Sequence, residues 1–271
     1  AAVHDDNPEI VELRRRGITM LERAEAWGSL MLDCDDAVCL AGTHGKTTTT
    51  SMMTHAAMAA NLDPTVMIGG TLSLIGSGYR VGGGRLMVLE ACEYCNSFLN
   101  FFPTIAVILN VEADHLDFFK DLDDVIASFK KFALRTPKDR GAVVYNLDDA
   151  GACRSIEGVD RRLISFGLGA GADVAARNLK QDKGSYSFDV VIEGCVYSEV
   201  TLNVPGLHNV YNALSVCACS WLLGIDGETA ALGLRQFGGA ARRFEHKGEY
   251  NGATIIDDYA HHPGEIRPTL E

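Results

Sequence analysis

Long apolar runs are missing from this 271-residue sequence. No stretch approaches the roughly 18 to 20 uninterrupted apolar residues that cross a bilayer, and the start shows no charged-then-apolar leader. The expectation is a cytoplasmic chain without membrane insertion. Positive charge is also scarce, since 24 Lys and Arg against 36 Asp and Glu leave a net charge of −12. Phosphate-rich partners need a positive field, so no nucleic acid and no acidic membrane is expected as a general partner, and only a single basic loop remains open. Internal repeats and low-complexity tracts are absent. The eight cysteines are scattered through apolar contexts instead of forming the dense framework of a small secreted domain, and are expected to be reduced thiols. Cys92-Glu93-Tyr94-Cys95 has the spacing of a redox pair or half a zinc site, but no second such pair follows it.

What is present is ample apolar material, 47% of residues, and one stretch that organises the rest. Ala37-Val38-Cys39-Leu40-Ala41 is a short buried-type strand that breaks at Gly42. Thr43, His44, Gly45, Lys46, Thr47 and Thr48 then open a segment, Thr47 to Ala60, that reads as a helix. Strand, glycine loop and helix in that order form a phosphate cradle. The glycines let backbone N–H groups converge on an anion, and the helix start adds partial positive charge. Lys46 can reach outer phosphates and the Thr47 hydroxyl can hold Mg2+. The Gly-x-x-Gly-Lys-Thr spacing is two residues shorter between glycines than the general P-loop pattern, so that pattern alone matches only in part.

From Asp36 onward, short apolar runs alternate with helical periods, the signature of a mainly parallel α/β sheet flanked by helices. The runs are Ala37–Leu40, Thr65–Ile68, Arg85–Leu89, Thr104–Leu109 and Gly141–Tyr145. Asp121 to Leu134 is an amphipathic helix. Before them, Pro8 to Gly17 and Thr19 to Leu32 read as two helices. After Leu163 the character changes. Ser185–Ile192 and Val196–Val204 alternate across a turn at Glu193-Gly194-Cys195, predicting a small antiparallel sheet appended to the parallel one. Helices at Asn209–Leu223 and Gly227–Phe237 and a last strand, Ala253–Asp258, complete the pattern.

In such sheets ligands sit beyond the carboxyl ends of the strands, and polar clusters follow several of those ends. Glu90 ends a strand and can complete a magnesium shell begun by Thr47, with Glu93 an alternative ligand or Glu90 simply a surface glutamate. Asn110-Val111-Glu112-Ala113-Asp114-His115-Leu116-Asp117 gathers ionisable groups at the next end. His115 can contact a second metal or the terminal phosphate, oriented by Asp114 or Asp117. Asn209 can N-cap its helix, and Asn209 or Asn212 can pair with an adenine edge. Arg242 and Arg243 can meet phosphate or ribose oxygens. Asp257-Asp258-Tyr259-Ala260-His261-His262-Pro263 suggests a metal site, although adjacent histidines point apart.

Taken together, Ala41 to Thr50, Glu90-Ala91-Cys92-Glu93-Tyr94, Asn110 to His115, His208-Asn209-Val210-Tyr211-Asn212, Gly239 to Phe244 and Asp257 to Pro263 resemble the Mur ligases, in the family's order over essentially the whole chain. The histidine inside the glycine loop narrows the resemblance to the muramate branch. It implies three regions: 1–33 as the remnant of an N-terminal UDP-binding domain, 34–246 as the central ATP-binding domain, and 247–271 as the start of a C-terminal domain. The implied reaction joins L-alanine to UDP-N-acetylmuramate with ATP, through an acyl phosphate. Within it Lys46 would stabilise the transferring phosphoryl group, Thr47 and Glu90 would hold one Mg2+, and His115 would help position a second. Asn209 and Asn212 would recognise adenine, with Arg243 and Asp258 near the ribose and phosphates. A murein-peptide recycling ligase shares the histidine-containing loop, and a non-catalytic P-loop module is the alternative of another class. The family's UDP loop and most of its C-terminal domain have no counterpart here, so weak nucleotide binding and no ligation are expected of this chain alone. Cys92 stands where muramate ligases often carry aspartate, which thins carboxylate support near Glu90.

Overall fold

Alternation of small and branched residues after Cys34 produces a strand whose two faces are both buried, and the rest of the fold stacks on those faces. A computed structural model describes residues 3–169, 171–182, 184–261, 266–267 and 270. Its helices are α1 (Pro8–Arg15), α2 (Arg23–Met31), α3 (Lys46–Ala59), α4 (Leu122–Ala133), α5 (Ala150–Ile156), α6 (Leu207–Leu222) and α7 (Gly227–Gln236), with a 3₁₀ segment at Tyr94–Asn100. The strands are β1 (Asp36–Ala41), β2 (Thr65–Leu72), β3 (Ser77–Arg80), β4 (Leu86–Glu90), β5 (Ile105–Ile108), β6 (Ala142–Asn146), β7 (Arg162–Gly167), β8 (Val174–Asp182), β9 (Ser185–Ile192), β10 (Cys195–Pro205), β11 (Glu245–Tyr250) and β12 (Ala253–Asp257).

Among the described residues, β1 to β10 form one ten-stranded sheet in the order β10-β9-β8-β7-β6-β5-β1-β4-β2-β3. Pairings from β2 through β8 are parallel, whereas β3, β9 and β10 join antiparallel at the edges. The antiparallel hairpin is appended at the edge of the parallel sheet as expected, and β8 makes the splice by pairing parallel to β7 and antiparallel to β9. The separate two-stranded sheet is β11–β12. Glu193 and Gly194 alone make the β9–β10 turn, both at left-handed φ (+51° and +78°), which matches the strands' twist. Cys195, expected in that turn, already pairs with Ile192.

Because side chains alternate along a strand, β1 feeds two cores. Val38 and Leu40 pack with α3, α6 and α7 side chains such as Met52, Leu214 and Leu234. Ala37, Cys39 and Ala41 face Phe98, Phe129 and Phe132. The connection from β1 runs through α3 towards β2 and that from β5 runs through α4 towards β6, so the carboxyl ends of these two neighbours form a switch point of the sheet.

Helix α1 stops where its glycine demands. Gly17 sits at φ +65°, and the Ile18 and Gly17 N–H groups donate to Leu13 O and Arg14 O. Helix α2 starts at Arg23 instead of Thr19, because the Glu25 carboxylate accepts the Glu22 N–H at 2.8 Å and nucleates the first turn there. Its apolar residues divide, with Met31 buried and Leu30 exposed.

Two features of α3 carry predictions. Gly233 lets α7 ride directly on it, since a Cβ there would lie 2.5 Å from Ala56 Cα. Gly233→Ala is expected to cost about 1–3 kcal/mol in chemical denaturation, because two backbones would have to part. His55 is 7% exposed, stands edge-on to Phe237, and its Nδ1 has no hydrogen-bond partner. Burial pulls its pKa below the ordinary value of 6.5. The unfolded chain then binds the proton more readily, so this histidine's contribution is intact above about pH 6.5 and stability is lost as pH falls through that value toward the folded pKa. Melting curves from pH 8 to pH 5 should show that loss, and His55→Leu should flatten it.

Candidate active site

The loop between β1 and α3 is built by close approach. At Gly42 a Cβ would lie 2.9 Å from the Leu109 side chain. Gly45 is the N-cap of α3 at φ +82°, where a Cβ would meet Asn212 Oδ1 at 2.9 Å. Only glycine combines that dihedral with that clearance. The segment after β5 zips onto the loop. Thr43 N donates to Asn110 O at 3.0 Å, and His44 N donates to Asn110 Oδ1 at 2.7 Å. In return Asn110 Nδ2 donates to His44 O and Glu112 N donates to Thr43 Oγ1. His44 Nε2 lies 3.5 Å from Glu112 Oε2. The hydroxyls of Thr49, Thr50, Ser51 and Thr54 each donate to the carbonyl four residues earlier, which reconciles a threonine-rich run with a buried helix.

Charge converges above this loop. The Lys46 ammonium has three protons and three acceptors: Gly42 O at 2.5 Å, Thr43 O at 3.0 Å and Glu93 Oε1 at 3.0 Å. Glu93 is 1% exposed, and its Oε1 also lies 3.9 Å from His115 Nε2. Thr47 Oγ1 donates to Glu90 Oε1 at 3.1 Å, while Glu90 Oε2 accepts the Gly69 N–H at 2.7 Å. The parallel register that pairs Leu40 with Glu90 delivers this carboxylate to the loop. Tyr94 packs against His115, the rings tilted by 44° with centroids 4.8 Å apart, and donates its hydroxyl to Asp117 Oδ2 at 3.0 Å. Cys95, Asn96 and His115, none of them glycine, hold left-handed φ near +55°, so backbone strain gathers beside Glu93. Burial, with Glu93 adding to it, pushes the Cys92 thiol pKa up, and Cys92 supplies no thiolate here.

The structure thus joins Lys46 to Glu93 and His115, and Thr47 to Glu90. Asn209 is not the N-cap of α6, because the helix begins three residues earlier after Gly206 at φ +95°. Its Nδ2 donates instead to Pro205 O, and its Oδ1 accepts from Asn212 Nδ2. Both asparagines are buried, and Asn212 buttresses Gly45. Arg243 and Asp258 belong to a second cluster: Arg242 and Arg243 lie over the Tyr259 ring, and Asp258 accepts the Phe244 and Ala260 N–H groups. Ala241 N donates to Thr71 O, tying that cluster to the end of β2. His262 and Pro263 lie outside the described residues. All eight cysteines are free thiols. Among the described residues no three His, Cys, Asp or Glu side chains form a preformed metal cage, and no helix is long and apolar enough to cross a membrane. Sequence reasoning weighed Glu93 only as a metal ligand and missed its bond to Lys46, along with the parts played by Gly69, Tyr94 and Asn110. The Glu-x-x-Glu spacing at the end of β4 was the available signal for the first.

A parallel sheet with this loop at its switch point, backed by carboxylates from the adjoining strand end, defines the P-loop class of α/β folds. Within that class the chain belongs to the Mur ligase family, whose middle domain matches residues 40–220. It is 47% identical over 271 residues to a UDP-N-acetylmuramate–L-alanine ligase of Agathobacter rectalis, covering 100% of this chain and 59% of that protein. The crystal structure of the corresponding ligase MurC from Thermotoga maritima is similar at TM-score 0.82 and 32% identity, over 99% of this chain and 61% of that one. A UDP-N-acetylmuramate:L-alanyl-γ-D-glutamyl-meso-diaminopimelate ligase from Neisseria meningitides matches at TM-score 0.78 and 26% identity, over 89% of this chain and 78% of that one. The chain therefore spans about three-fifths of the length of the curated relative.

Proposed function

We propose that this chain is the nucleotide-binding core of a cytoplasmic UDP-N-acetylmuramate–L-alanine ligase. The observation that carries the reading is the convergence on one loop of Lys46 with Glu93 and of Thr47 with Glu90, with His115 3.9 Å from Glu93. ATP supplies the phosphoryl group: the muramyl carboxylate oxygen takes the γ-phosphorus as ADP leaves, and the alanine amine then displaces phosphate from the acyl carbon. The N–H groups from Gly45 to Thr48 at the start of α3 bind the phosphates, those of Thr43 and His44 being held by Asn110, and Lys46 neutralises the charge that builds during transfer.

Magnesium fits the donors present. Mg2+ prefers one or two carboxylates plus phosphate and water oxygens over an all-protein cage, and Thr47 Oγ1 at the start of α3 and Glu90 and the buried Glu93 at the end of β4 are hard donors. Thr47 and Glu90 would hold one ion, which screens phosphate charge, and His115, braced by Tyr94, would face a second. Asn209 and Asn212 would face the base. Adenine recognition by either requires that it share or exchange one of its present bonds. Arg243 and Asp258 would approach the ribose and phosphates from the 238–261 segment. Residues 1–33, 34–246 and 247–271 are assigned to the first, central and third domains.

The deciding assay gives the full-length protein ATP, Mg2+ and UDP-N-acetylmuramate, with L-alanine or L-alanyl-γ-D-glutamyl-diaminopimelate as the amine donor. ADP release dependent on L-alanine is expected. Release only with the peptide would transfer the protein to the recycling ligases, and release with neither would leave a binding module.

A further inference from the structure

At the amino ends of β1 and β5, the end of the sheet away from the glycine loop, a cavity of about 200 Å³ opens between α2 and the segment that follows α4. Its walls include Met31 and Ala37, both buried, Thr104, 6% exposed, and Phe102. Arg135 and Arg140 also line it, and among the described residues no carboxylate does. In a chain of net charge −12 that is an unusual lining. Arg135 Nε donates to Phe101 O at 3.2 Å and its guanidinium lies 4.5 Å from the Phe102 ring centroid. Arg140 Nη1 donates to Asp35 O at 2.9 Å. Carbonyl partners and a ring face fix where these guanidiniums point without cancelling their charge. Of the neighbouring acids, Asp35 pairs with Arg85 at 2.7 Å, and Asp36 accepts the hydroxyl of the wall residue Thr104 at 3.1 Å.

We propose that this cavity binds a small organic carboxylate, its apolar body against Met31, Ala37 and Phe102 and its anionic end between Arg135 and Arg140. Paired guanidiniums over an apolar floor match that chemistry, since each presents N–H groups in a fork. The volume lies below the roughly 300–1,000 Å³ of sites for drug-sized ligands, so the occupant is of about benzoate size. The site shares no residue with the glycine loop and stands independently of the ligase reading.

The test is titration of ¹⁵N-labelled full-length protein with benzoate, using neutral benzamide as the control. Saturable shifts of the Met31, Ala37 and Thr104 amides are expected with benzoate and not with benzamide. Arg135→Gln or Arg140→Gln should weaken binding about tenfold, the worth of one charged hydrogen bond. Absence of saturable shifts at those amides, equal response to benzamide, or unchanged affinity in the folded double variant would overturn the proposal. The benzoate–benzamide contrast in the unaltered protein decides the matter even if a variant fails to fold.

Discussion

Lys46→Met in the full-length protein is expected to lower nucleotide turnover by about 10²–10³-fold, the usual effect of removing one preorganised donor from a transferring charge. The same change should also destabilise the protein. Lys46 and Glu93 are 14% and 2% exposed at their side chains, and deleting the cation strands a buried carboxylate. Breaking such a pair costs about 3–5 kcal/mol when one partner is left behind. Stability and activity then come apart in the double variant. Lys46→Met with Glu93→Gln removes the stranded charge and should recover most of the lost stability, whereas turnover should stay at the level of the single variant. Recovery of turnover would show that Lys46 serves folding alone.

The second large effect separates the two glutamates. Glu90 is half-exposed and holds Thr47 and Gly69 through hydrogen bonds that glutamine can partly reproduce, so Glu90→Gln should fold normally, within about 1 kcal/mol. Its loss of charge at the strand end should nonetheless cut turnover on the order of 10²-fold and raise the magnesium concentration needed for half-maximal rate. Glu93→Gln should behave differently, lowering the melting temperature because Lys46 loses its only carboxylate among the described contacts. If Glu93→Gln shifts the magnesium requirement and Glu90→Gln does not, the carboxylate that holds the ion has been assigned to the wrong residue.

Sequence made legible what local chemistry determines. The strand, the glycine loop and the start of α3 follow from a buried run broken by Gly42 and Gly45, and the structure reproduces them to within a residue at each boundary. Polar elements escaped. β11, Glu-His-Lys-Gly-Glu-Tyr, has no buried residue and therefore no hydrophobic period to read. The outer two-thirds of β8 is exposed for the same reason. Helix α5 is seven residues with three small ones at its start, too short to show a face. Contacts between distant segments were the other loss. Asn212 pressing on Gly45, Lys46 on Glu93 and Tyr94 on Asp117 each join separate elements, and nothing in the spacing along the chain announces them. Asn209 was misplaced as a cap because the asparagine preference for that position competes with glycine, and Gly206 supplied the required dihedral first.

The most direct test is a crystal structure of the full-length protein with a non-hydrolysable ATP analogue and Mg2+. The β- and γ-phosphates should rest on the N–H groups from Gly45 to Thr48, with Lys46 on the outer phosphate and Glu90 on the ion. Phosphates seated elsewhere, with Glu90 and His115 turned away from them, would contradict the account.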